Sequence, residues 1–67
     1  MKLSLVLIIY RSKSTIAKEK AIFCENLFND KRISAIKLAS NFDNKTLNFY
    51  LNKNSFLPNL VIVLGGD

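Results

Sequence analysis

The chain has 67 residues, 49% of them hydrophobic, with a net charge of +5, one cysteine and no histidine. That length allows one small domain of marginal stability, since a domain of about 60 residues buries only about 60% of the surface its unfolded chain exposes, and the hydrophobic content excludes a disordered polymer. The lone Cys24 excludes an internal disulfide and suits a reduced, cytoplasmic protein, while basic residues scattered from Lys2 to Lys53 without a block leave nucleic-acid binding resting on net charge alone.

Residues 3–9 are the first apolar run. A bilayer span needs about 20 apolar residues, and this run is far shorter. The following Arg11-Ser12-Lys13-Ser14 lacks a small-x-small cleavage pattern, so the run predicts a buried first strand and neither a leader nor a membrane partner. From Thr15 the period changes to that of a helix ending near Asn29-Asp30, with Ser14 or Thr15 as its cap. Ile16, Phe23 and Leu27 form one apolar row and Ala17, Ala21, Cys24 and Phe28 another, which together predict a wide face packed on a sheet. Lys31-Arg32 suits the negative end of that helix.

Residues 33–39 predict a second strand, less apolar than the first and so at an edge. Ser40-Asn41-Phe42-Asp43-Asn44 is turn chemistry, with Asp43 or Asn44 the cap of a short helix over 45–53. Leu47, Tyr50 and Leu51 share one face of that helix, and Phe56 and Leu57 are expected to pack under the loop before Pro58. Leu60-Val61-Ile62-Val63-Leu64 then runs apolar without alternation, which predicts a strand buried on both faces. Gly65 and Gly66 allow a sharp turn and a close approach, and Asp67 follows them.

The order strand, helix, strand, helix, strand predicts an α/β fold. If the third strand returns beside the first, right-handed crossovers give a small three-stranded parallel sheet of order 2-1-3 with helices on both faces. That topology sets the loop Arg11-Ser12-Lys13-Ser14 beside Gly65-Gly66-Asp67 at the switch point, where open α/β sheets bind ligands. Glycine N–H groups and a helix N-terminus can meet phosphate oxygens there, and Arg11 and Lys13 add positive charge. An aspartate at that edge can take a proton from a hydroxyl or hold a Mg²⁺ that bridges phosphates. A plain core strand and turn, with Arg11 and Lys13 on a solvated loop, also accounts for these residues.

The stretch Pro58-Asn59-Leu60-Val61-Ile62-Val63-Leu64-Gly65-Gly66-Asp67 resembles the segment of NAD kinases that leads into their Gly-Gly-Asp-Gly-Thr motif. The resemblance is close over these ten residues and loose over residues 1–67, which it reads as the opening part of an N-terminal nucleotide-binding domain, with the C-terminal domain absent. It implies phosphorylation of the 2′-hydroxyl of NAD to give NADP, with ATP or polyphosphate as donor and a divalent cation such as Mg²⁺. It implies a nucleotide as the small-molecule partner and a homo-oligomeric full-length protein. The motif's aspartate, the proposed proton acceptor for the ribose hydroxyl and itself a contact of the dinucleotide, falls on Asp67, next to the phosphate-binding candidates Gly65, Gly66, Arg11 and Lys13. The motif's Gly-Thr, the family's Asn-Glu pair and the later domain are not in the 67 residues. A fragment without catalytic activity is therefore expected, with no protein metal ligands of its own.

Two other readings stay open. Lipid kinases of the diacylglycerol and sphingoid type share a version of the motif, but they end their first strand with Asn-Pro and a nearby glycine, where this chain has Tyr10-Arg11-Ser12-Lys13. Phosphofructokinases carry a glycine-rich turn there, also missing. The second alternative is a non-enzymatic α/β binding module in which Gly65-Gly66-Asp67 is only a turn.

Overall fold

The computed structural model describes residues 3–54 and 57–65. Three strands, β1 (Leu5–Tyr10), β2 (Ser34–Ala39) and β3 (Leu60–Leu64), alternate with two helices, α1 (Thr15–Asp30) and α2 (Asn44–Asn54). The strands form a parallel sheet of order β2-β1-β3, as the right-handed crossover argument expects. Leu7 pairs in register with Ile36 on one side and Val61 on the other.

The central strand is the most apolar, and its alternating side chains feed two cores. Leu5 and Leu7 pack with Ile36 and Leu38 under Leu47, Tyr50 and Leu51 of α2. Val6 and Ile8 pack with Ala21, Cys24 and Phe28 of α1 on the opposite face. Leu5, Val6 and Ile8 are fully buried, which suits a strand covered by a helix on each face.

Local chemistry sets the boundaries. Strand β1 begins at Leu5, later than the expected residue 3, because Asn59 intervenes. Its side-chain carbonyl accepts the N–H groups of Ser4 (2.7 Å) and Leu5 (3.0 Å), and its own N–H donates to the Leu5 carbonyl (2.8 Å). Strand β2 starts at Ser34 instead of residue 33 because Ile33 closes the end of α1. The Ile33 N–H donates to the Phe28 carbonyl (2.9 Å) and the Arg32 N–H to the Asn29 carbonyl (2.9 Å), with Arg32 left-handed at φ 62°. These are the two bonds of a Schellman end, and Ile33 and Phe28 share a core cluster as its hydrophobic contact. Ser14 caps α1, its hydroxyl accepting the Ala17 N–H (3.0 Å), and Asp43 caps α2 in the same way through the Thr46 N–H (2.8 Å).

Three expectations are corrected. The wide apolar face of α1 is narrower: Ala17 and Ala21 are buried and Cys24 and Phe28 half-buried, but Ile16, Phe23 and Leu27 are exposed. The small residues Ala17 and Ala21 bring the helix close to the sheet along one row and turn the other outward. Strand β3 is not buried on both faces. Ile62 and Leu64 pack toward α1, whereas Val61 and Val63 are exposed, because α2 lies over β1 and β2 and leaves β3 uncovered. Leu57 is 73% exposed and does not pack under its loop, while Phe56 lies outside the described residues.

Candidate functional site at the carboxyl edge of the sheet

All three strands are parallel, so their carboxyl ends share one edge. The Arg11 N–H donates to the Leu64 carbonyl (3.2 Å), which fastens the loop after β1 to the end of β3. Arg11 thus lies beside the end of β3, where Gly65 follows Leu64; Arg11, Lys13 and Gly65 are all exposed. Gly66 and Asp67, also predicted site residues, lie outside the described residues.

Gly65 has no left-handed backbone, since no described glycine has positive φ, and a Cβ built there would meet nothing within 4 Å. Packing among the described residues therefore does not demand glycine at this position. What Gly65 leaves is open space at the strand end, where a ligand or a further piece of protein can approach the backbone.

Sequence reasoning missed Ser40 as part of this edge. Its hydroxyl accepts the Ser12 N–H (3.1 Å), and its own N–H donates to the Tyr10 carbonyl (2.7 Å). The loop carrying Arg11 and Lys13 is thus held from two sides, by β3 at Arg11 and by the end of β2 at Ser12. The Ser14 N–H donates to the Arg11 carbonyl (3.1 Å), tightening the same turn. The available signal was the Ser-Asn-Phe-Asp-Asn turn, which marks a loop but not what its first hydroxyl reaches.

Electrostatically the edge combines Arg11 and Lys13 with the N-terminus of α1, whose Thr15 and Ile16 N–H groups have no helical carbonyl four residues back. An anion would be favoured there. Asp43, on the loop after β2, is held below the ordinary carboxylate range, first by the Thr46 N–H it accepts and then by the Thr46 hydroxyl, with slight desolvation opposing.

No group of three or more His, Cys, Asp or Glu side chains that could hold a metal occurs among the described residues. They do not fit a divalent cation by themselves. A shallow concavity of about 460 Å³ lies elsewhere, along the outer side of β2. Its lining includes Lys37 and Glu25, ion-paired at 3.2 Å, with Tyr50 and Lys53, and it does not reach the carboxyl edge. No helix among the described residues is long and apolar enough to cross a membrane.

No protein-family model matches the chain, and no solved structure matches it. Two curated relatives do. The chain is 48% identical over 62 residues, 92% of its length, to "NAD kinase 1" of Prochlorococcus marinus subsp. pastoris. It is 45% identical over all 67 residues to "NAD kinase 1" of Prochlorococcus marinus strain SARG. It covers 21% and 22% of these relatives, so it spans about a fifth of their length. Lipid kinases and non-enzymatic modules gain no support from these matches. Over the fifth of the relatives that it spans, the chain is 45–48% identical to these NAD kinases and is a fragment of that family.

Proposed function

We propose that this chain supplies the first three strands of an NAD kinase nucleotide-binding domain and presents Asp67 at its ligand edge. The observation that carries the reading is the hydrogen bond from Arg11 to the end of β3, which brings the basic β1 loop beside the strand that leads into Gly65-Gly66-Asp67. The near-complete coverage of the chain by NAD kinase relatives supports it.

In this reading Asp67 takes the proton from the ribose 2′-hydroxyl as that oxygen attacks the terminal phosphorus of ATP or polyphosphate, and the bridging P–O bond breaks to release ADP or the shortened polyphosphate. The glycine N–H groups and those at the N-terminus of α1 donate to phosphate oxygens, and Arg11 and Lys13 offset their charge. The full protein would act in the cytoplasm in NADP biosynthesis, as a homo-oligomer.

Phosphoryl transfer depends on positioning and charge stabilisation from several segments. The chain alone is therefore expected to form no NADP from NAD, ATP and Mg²⁺. The same chain in place of the matched segment of a Prochlorococcus NAD kinase 1 should restore NADP formation. Turnover by the 67-residue chain alone, abolished by Asp67→Ala, would contradict the inactivity, and a folded but inactive chimera would contradict the assignment.

A further inference from the structure

The loop that carries Arg11 and Lys13 is a four-residue turn, closed by the Ser14 N–H on the Arg11 carbonyl at 3.1 Å. Such a bond fixes the shape of the turn but not its tilt against the sheet. The tilt is set by bonds to the two neighbouring strands. On one side the Arg11 N–H reaches the Leu64 carbonyl at the end of β3 (3.2 Å). On the other the Ser12 N–H reaches the Ser40 hydroxyl (3.1 Å), 28 positions along the chain.

The second bond acts on one peptide plane. The Ser12 N–H and the Arg11 carbonyl belong to the same planar amide. Ser40 holds that plane at its N–H end and Ser14 at its carbonyl end. Ser14 is also the cap of α1, its hydroxyl accepting the Ala17 N–H at 3.0 Å. Ser40 therefore ties the backbone between Arg11 and Lys13, and through Ser14 the start of α1, to the end of β2. Its own anchor is firm. The Ser40 N–H donates to the Tyr10 carbonyl at 2.7 Å, one step beyond the Tyr10–Ala39 pair that ends the β1–β2 register. A single side-chain torsion then places the hydroxyl oxygen.

We propose that Ser40 is a positioning residue for nucleotide phosphates. Its hydroxyl holds the Arg11–Ser12 peptide so that Arg11, Lys13 and the first N–H groups of α1 meet one phosphate chain together. The proposal rests on the NAD kinase reading, in which this edge receives the phosphates of NAD or of the donor. Ser12 and Ser40 are both exposed. Water can therefore replace the hydroxyl at the Ser12 N–H, and no buried donor is left unsatisfied, so the fold loses little. A mobile water does not fix the direction of that N–H, and the loop loses its second hold. A phosphate chain is charged both before and during transfer, so the loss falls on KM and leaves kcat nearly unchanged.

The test places the 67 residues in the matched segment of NAD kinase 1 from Prochlorococcus marinus subsp. pastoris. Ser40→Ala should raise the KM for NAD or for ATP roughly three- to tenfold, the span of one neutral hydrogen bond, with kcat within about twofold. The nucleotide whose KM rises is the one whose phosphates meet the loop. The melting temperature should move by less than about 2 °C. Ser40→Thr keeps the hydroxyl and should restore KM. In a protein already carrying Arg11→Ala and Lys13→Ala, Ser40→Ala should add less than about twofold, because its effect passes through those side chains. Unchanged KM values for both nucleotides in an active Ser40→Ala protein would overturn the proposal and keep the NAD kinase reading. A Ser40→Ala protein that unfolds or melts far lower would give Ser40 a role in stability and overturn it also, as would an effect that persists in full without Arg11 and Lys13. A chimera with Ser40 intact that forms no NADP would refute the catalytic reading and this proposal with it.

Discussion

Arg32 holds a left-handed backbone at φ 62° so that α1 can end in its two Schellman hydrogen bonds. For a residue with a Cβ that conformation costs roughly 1–2 kcal/mol, which glycine avoids at the expense of a more flexible unfolded chain. Arg32→Gly should therefore stabilise the chain by about 0.5–1 kcal/mol in urea unfolding, and a loss of stability would contradict the role given to this turn. Asp43 offers a second test, by pH. Its folded pKa is depressed by the Thr46 hydrogen bonds, so its contribution is complete above the unfolded value and is lost as pH falls through the folded one. From about pH 4 downward the native chain should lose stability faster than Asp43→Asn, which keeps a capping oxygen but does not titrate. Melting curves of both proteins across that range provide the comparison, and parallel pH profiles would remove Asp43 from the account.

At the scale of elements, one position on the central strand and one on an edge strand make opposite predictions. Ile8 is fully buried under α1, so Ile8→Ala should cost about 2–5 kcal/mol, enough to unfold a chain of marginal stability. Val63 is exposed on β3, so Val63→Ala should move the isolated chain by no more than about 0.5 kcal/mol. Circular dichroism of both variants tests the pair. The contrast also marks where sequence reading worked and where it stopped. Both runs are apolar and β-branched, and their strand character, parallel pairing and order were legible from composition and from the turns between them. Their difference in burial was not, because it depends on where α2 settles. Likewise, the rows of α1 were legible as a helix, but not which row meets the sheet; the close approach allowed by Ala17 and Ala21 decides that. At the edge, Arg11, Lys13 and Gly65 were legible from topology, whereas the Ser40 hydroxyl was not, since its reach to Ser12 spans 28 positions.

At the scale of the whole molecule, the described residues form a three-stranded sheet with a helix on each face, α2 leaving β3 uncovered, and the chain spans about a fifth of its NAD kinase relatives. Its carboxyl edge gathers a basic loop, a helix N-terminus and the strand that leads into Gly65-Gly66-Asp67. The role proposed for Asp67 is one in chemistry and not in stability. The most direct measurement is of kcat and the thermal midpoint for Asp67→Asn, with the chain set in a full-length NAD kinase 1. Asparagine keeps the size and shape of the side chain but cannot take the proton, and loss of a general base costs on the order of 10²–10⁴ in rate. The account predicts that kcat falls by that factor while the midpoint stays nearly fixed; a near-normal kcat with a lowered midpoint would contradict it.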